Sequence, residues 1–158
     1  MPVTGDIVES WRRPRAVMAR LLARGPSEPF ALSFLLLFLL LAFAASSPAL
    51  MRQAMAAPDL PLLPRFYAAA LGLLATIPLW YLLAALGHLV ARALGGRGSH
   101  YGGRLALFWS LLAISPAMLI QGLAQGMVAF GPAANLLGLL VLGGFLALWV
   151  AALREVEA

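Results

Sequence analysis

The chain contains no cysteine and no lysine. Without cysteine there are no disulfides, no thiolate chemistry, no Cys-type zinc sites and no Cys-ligated iron–sulfur clusters, and the redox compartment goes unread. Without lysine a P-loop lacks the side chain that reaches the phosphates. Charge of either sign is scarce, at 11% of 158 residues against ~25% in soluble domains. Only six residues are acidic, and none lies in the long apolar runs or in the stretch from Gly87 to Gln121. Hydrolytic chemistry therefore has no buried acid to support a nucleophile, and no GxSxG motif is present. An intramembrane protease, or a proton-coupled pump working through a buried carboxylate, lacks its central group.

What the chain has is apolar length. It is 63% hydrophobic with a mean hydropathy of +0.93. A soluble chain of this size could not hide so much apolar surface, so the bilayer is the solvent. From Pro29 to Met51 there is no charge, and those 23 residues rise ~34 Å as a helix, enough to cross a ~30 Å core. Ser27-Glu28-Pro29 supplies the start signal. Ala42-Phe43-Ala44 imitates a signal-peptidase site, but the polar leader is too long and the apolar run too extended for a secretory signal. A proline-punctuated loop, with Pro58, Pro61 and Pro64, comes next. Phe66 to Ala91 forms a second span kinked at Pro78. Leu105 to Leu153 is 49 residues without charge, ~74 Å as one helix, and must turn back. Breakers sit between Gly122 and Asn135, with Gly131 and Pro132 among them.

The expected fold is all-α: a polytopic helical bundle of four transmembrane helices with an amphipathic interfacial helix before it. Residues 1–29 form the leader and 30–158 one transmembrane domain, with spans near 30–51, 66–91, 105–124 and 133–153. In the leader, Ile7, Val8, Trp11, Val17, Met18, Leu21 and Leu22 fall on one half of a helical wheel. Arg12, Arg13, Arg20 and Arg24 fall on the other, the pattern of a helix lying among headgroups. Pro14 kinks or splits it. With the N-terminus inside, nine arginines are interior and only Arg52 and Arg65 exterior, so both termini face the cytoplasm. All eleven basic residues are arginine in an Ala- and Leu-rich chain, the habit of a GC-rich bacterial genome. The expected location is the bacterial cytoplasmic membrane.

Between the second and third spans lies a glycine- and arginine-rich hinge. Gly95-Gly96-Arg97-Gly98-Ser99 invites comparison with phosphate loops. A dinucleotide fingerprint needs GxGxxG between strand and helix, but Tyr101 stands at the third glycine and both flanks are helical. Two readings remain: backbone N–H groups with Arg97 that hold a lipid phosphate, or a helix cap at Gly95-Gly96 and a tight re-entry. His88 and His100 are twelve apart with no acid near them in sequence, a poor metal set. No cofactor, metal or catalytic residue is expected, and the net charge of +5 is placed for lipid rather than nucleic acid. Gly87, Ala91 and Gly95 form a small-residue ridge, and Gly122 and Gly126 a GxxxG. Both suit close helix packing. Gln121 and Gln125 share a helix face for interhelical hydrogen bonds.

Gly87-His88-Leu89-Val90-Ala91-Arg92-Ala93-Leu94-Gly95-Gly96-Arg97-Gly98-Ser99 resembles the helix ending and Gly-Gly-basic-Gly-Ser turn of the Yip1 domain family. Ser115-Pro116 in the next helix is similar to that family's small-residue–proline pair, and Arg13-Pro14-Arg15 with Leu21-Leu22 to the leader of its bacterial members. The resemblance implies a multi-span helical protein with a cytoplasmic N-terminus and no catalytic residues. Eukaryotic members act in vesicle trafficking with Rab-type GTPases. The family usually has five spans where four are counted here. Either this is a short member, or the leader or a partner helix completes the bundle. Two functions fit these features. The first is a non-enzymatic scaffold or adaptor that binds other membrane proteins or itself. Its interaction hinge comprises Gly87, His88, Arg92, Gly95, Gly96, Arg97, Gly98, Ser99, Arg104 and Pro116. The second is a lipid-handling or passive transport protein that gathers anionic phospholipid headgroups.

Overall fold

The computed structural model describes residues 3–59, 61–127 and 132–158, the side chains of 132–134 excepted. Seven helices run in order: α1 Val3–Ser10, α2 Pro14–Leu22, α3 Glu28–Ala56, α4 Leu62–Ala75, α5 Ile77–Ala93, α6 His100–Met127 and α7 Pro132–Val156. Four segments are long and apolar enough to cross a membrane: Glu28–Ala56, Leu62–Ala93, His100–Met127 and Asn135–Val156. The stretch where the sequence places a turn between the last two, with Gly131, lies outside the described residues.

Proline and its neighbours set several of the boundaries. Pro14 splits the leader, ending the first helix before it and opening α2, because its fixed φ suits a first helical turn and not a helix interior. Pro78 splits the second span at Thr76. Pro78 has no N–H to offer the preceding turn, and Thr76 answers locally. Its hydroxyl donates to the Leu73 carbonyl at 2.6 Å and accepts from Trp80 Nε1 at 3.0 Å. Thr76 keeps helical dihedrals, so the span bends without turning back. Pro48 lies within α3 and Pro116 within α6, and neither ends its helix.

The architecture is built on α6. From Leu105 to Ser115 every residue of that helix is buried. Two-thirds of its span is covered by the rest of the chain, against 6% of Leu62–Ala93. α3 packs along it most extensively. Glu28 meets Arg104, Phe34 meets Trp109, Ala45 meets Gly122 and Pro48 meets Gly126. The partners advance together, so the two helices run parallel and in step for ~30 Å. Lipid tails are as apolar as leucine and give helices no hydrophobic reason to associate. Close backbone approach must supply the attraction, and the GxxxG does so here. A Cβ at Gly122 would collide with the backbone of Ala45, and one at Gly126 with the Pro48 ring. Gln121, of the pair expected to bond between helices, lays its amide against the space left by Gly138 on α7.

The leader closes the remaining side of α6. Val17, Met18 and Leu21 of α2 are fully or almost fully buried in the bundle core, with α2 against α7 and α1 against α6. Val8 and Trp11 remain exposed at its edge. Trp109 Nε1 donates to Ser10 Oγ at 2.9 Å, and that hydroxyl donates to the Asp6 carbonyl at 2.8 Å. Trp11 Nε1 donates to the Ala113 carbonyl at 3.0 Å, in the turn of α6 that Pro116 loosens. Arg20 folds the leader on itself, with bonds to Asp6 at 2.8 Å and Glu9 at 2.6 Å. The Arg20 hydrogen bond holds the Glu9 carboxyl below its ordinary range. A depressed carboxylate contributes stability above its unfolded pKa and loses it as pH falls through the folded value. The Glu9–Arg20 contribution should therefore be present at neutral pH and fade as pH falls below the ordinary carboxylate range, with a modest rise in the rate at which the leader is proteolysed. Arg20→Gln should be cut modestly faster than the parent chain at neutral pH.

Glycine substitution tests the packing. Gly126→Ala should lower stability by ~1–3 kcal/mol, the usual cost of overpacking. Gly72→Ala, whose Cβ meets open space on α4, should be neutral or raise it by ~0.5–1 kcal/mol. Thermal unfolding in detergent reads both.

Candidate functional site

The hinge after α5 is assembled from backbone chemistry. Gly95 takes φ +99, a conformation that costs a side chain more than it costs glycine. Its N–H bonds the Arg92 carbonyl at 3.0 Å, and the Gly96 N–H bonds the Ala91 carbonyl at 3.0 Å. That 5→2 and 6→1 pair is a Schellman cap, satisfying carbonyls that a helix end leaves open. Ser99 then starts α6. Its hydroxyl accepts the Gly102 N–H at 3.0 Å and its carbonyl the Gly103 N–H at 3.1 Å.

The end of α7 fills the space between cap and restart. Glu157 Oε2 accepts the Gly98 N–H at 2.8 Å, and the Glu157 carbonyl accepts the Arg97 N–H at 3.2 Å. Glu157 Oε1 lies 2.6 Å from His88 Nδ1. The two side chains, His88 and Glu157, are 2% and 7% exposed. His88 in turn meets the His100 ring edge-on at 4.5 Å. The glycines are small because α7 and α5 lie where side chains would go. A Cβ at Gly96 would stand 2.5 Å from Glu157 Oε2, one at Gly98 2.6 Å from the Val156 carbonyl, one at Gly102 2.5 Å from Val156 Cγ1, and one at Gly103 3.0 Å from His88 Cβ.

Two readings of the hinge change accordingly. The N–H groups of Gly95, Gly96, Arg97 and Gly98, which a lipid phosphate would need, are all bonded within the chain. The position an anion would take is held by the chain's own carboxylate, and the arrangement is a cap and re-entry. His88 is not remote from acid, since Glu157 is 69 positions away in sequence and in contact in space. Glu157 is the residue that sequence reasoning misses. A signal for it exists: the topology that places both termini at the hinge end also sets the close of α7 beside His88.

The other predicted residues separate. Gly87 takes the indole of Trp149, with a Cβ there only 2.6 Å from Cζ2, so part of the small-residue ridge is spent on the chain's own α7. Arg92, Arg97 and Ser99 are exposed on the outer rim. Arg104 Nη2 donates to Glu28 Oε2 at 2.8 Å and ties the start of α3 to that of α6. Pro116 stands ~24 Å along α6 from His100, exposed and outside the hinge. Among the described residues no cluster of three or more His, Asp or Glu is arranged to hold a metal ion.

Four apolar spans, with the two chain ends and the hinge gathered at one end of the bundle, define an integral membrane protein of the helical class. The chain belongs to the Yip1 domain family, whose sequence profile matches residues 8–157, nearly the whole of it. No curated protein and no solved structure matches it.

If Glu157 closes the hinge through His88, the two residues are coupled. Glu157→Gln should cost ~1–3 kcal/mol by leaving buried groups unpaired. Adding His88→Ala to it should cost much less than His88→Ala alone, a non-additivity read by a double-mutant cycle on detergent unfolding.

Proposed function

We propose that this protein is a non-enzymatic scaffold or adaptor of the bacterial cytoplasmic membrane, with both termini and the hinge on the cytoplasmic side. It binds another membrane protein or a second copy of itself through α5. The nine-to-two distribution of arginines supports that orientation. Family membership supports a role without catalysis. Among the described residues, several buried polar groups are spent on holding the fold together: Glu157 with His88 and Gly98, Trp109 with Ser10, Asp6 with Arg20.

One observation carries the interface. Leu79, Leu82, Leu86 and Leu89 are spaced three, four and three apart along α5, and all are between 49% and 64% exposed. That is the seam spacing by which helices pack at a small crossing angle, and here it lies on the span least covered by its own chain. The seam runs down to the exposed Arg92 and Arg97 at the hinge, which would meet acidic groups on the partner's cytoplasmic side. Since Gly96, Gly98 and Gly102 are filled by α7, the inner hinge supports this surface and is not itself the contact.

A photo-crosslinking residue at Leu82 or Leu86 in the native membrane should capture one protein species, either a heterologous membrane protein or the chain itself. The same probe at Leu140, an exposed residue on α7, should not. Protein adducts that are equal at all three positions would contradict the reading, as would turnover of a lipid or peptide substrate by purified, reconstituted protein.

A further inference from the structure

Beside the hinge, α5 and α7 part company. They touch at Gly87 and Trp149 and again where Glu157 meets Gly96. Between these contacts is a cleft of about 530 Å³, with Val90, Ala91, Val150 and Leu153 on its walls and Arg154 and Glu157 at its hinge end. It lies on a different face of α5 from the leucine seam, and its occupancy is independent of the adaptor reading.

Lining and access decide what class of occupant fits. Gly87 to Gly95 is ~12 Å of helix, so the cleft runs about two turns along α5. Alkyl carbons pack at ~4 Å, and acyl chains lie along a groove of this length. The walls are aliphatic, and the rim residue Leu94 is 84% exposed, so the cleft opens sideways into the surrounding lipid.

The charges choose the headgroup. Arg154 and Glu157 are one turn apart at the end of α7, and both line the cleft. Arg154 is exposed, and a guanidinium matches a phosphodiester with two donors. The Glu157 carboxylate has about four acceptor positions, and His88 and Gly98 take two. The rest suit a compact donor cation. We propose that the α5–α7 cleft binds one aminophospholipid of the phosphatidylethanolamine type. Its acyl chains lie between Ala91 and Val150, its phosphate on Arg154 and its ammonium on Glu157. A choline headgroup carries no N–H for the carboxylate, and a glycerol headgroup carries no cation.

The full chain in mild detergent, exposed to equal mole fractions of dioleoyl phosphatidylethanolamine, phosphatidylglycerol and phosphatidylcholine, gives the test by native mass spectrometry. We expect one phosphatidylethanolamine per chain, preferred about tenfold over the other two. Arg154→Gln should lower retention of all three lipids. Ala91→Leu, which fills the cleft without touching the hinge bonds, should abolish the bound lipid while leaving the melting temperature unchanged. Glu157→Gln should erase the headgroup preference. Equal occupancy by the three lipids would overturn the proposal, as would a lipid retained in Ala91→Leu or a protein crosslinked from Val150 in place of lipid.

Discussion

The close parallel packing of α3 on α6 is the contact on which the rest of this structure depends. In a bilayer, burying leucine against leucine gains little over burying it against lipid, so helices associate through fit. Gly122 and Gly126 allow that fit at one end by admitting the backbone of Ala45 and the ring of Pro48. The Arg104–Glu28 pair fixes it at the other. With α3 in place, α6 becomes a central post, and the leader, α5 and α7 have a surface to close around. The post is unusually enclosed because the leader, which is polar by composition, lays α1 against it and buries Val17, Met18 and Leu21 of α2 in the same core.

At the hinge the same logic is applied to charge. A buried acid at the end of a span is expensive unless its acceptors are occupied. Glu157 is surrounded by a backbone N–H from Gly98 and the imidazole of His88, and its own carbonyl takes the Arg97 N–H. Three elements that are distant in sequence are thereby joined at one residue: the end of α5, the start of α6 and the end of α7. The glycines of the hinge are spacers for this junction. Gly95 differs: a Cβ there meets open space, and its dihedral angle is what calls for glycine.

Much of the fold was legible from the sequence because bilayer thickness and charge-free run length are one-dimensional quantities. The four spans follow from them, and the split at Pro14 from the fixed φ and missing N–H of proline. The family resemblance, carried by Gly87 to Pro116, was legible for a related reason: a helix cap and restart need particular small residues at fixed offsets. What could not be read was which helix occupies the space those glycines leave. A Gly-rich turn looks the same whether it waits for a phosphate or receives a glutamate from 59 residues further on. The leader's amphipathic wheel likewise fixes an apolar face without saying whether lipid or protein covers it. For α2 it is the protein's own α7. The small-residue ridge at Gly87 met a tryptophan of the same chain in place of a partner, and Pro116 shares a helix with the hinge but not its location.

The hinge is closed from within by Glu157. Because the chain holds only two histidines, selective labelling gives a direct test in bilayers. Solid-state NMR dipolar recoupling between histidine ¹⁵Nδ1 and glutamate ¹³Cδ should show one strong coupling, lost on His88→Phe and kept on His100→Phe. Absence of coupling at His88, with the chain otherwise folded, would mean that the carboxylate is not in the hinge. The Gly98 amide would then be free for another anion.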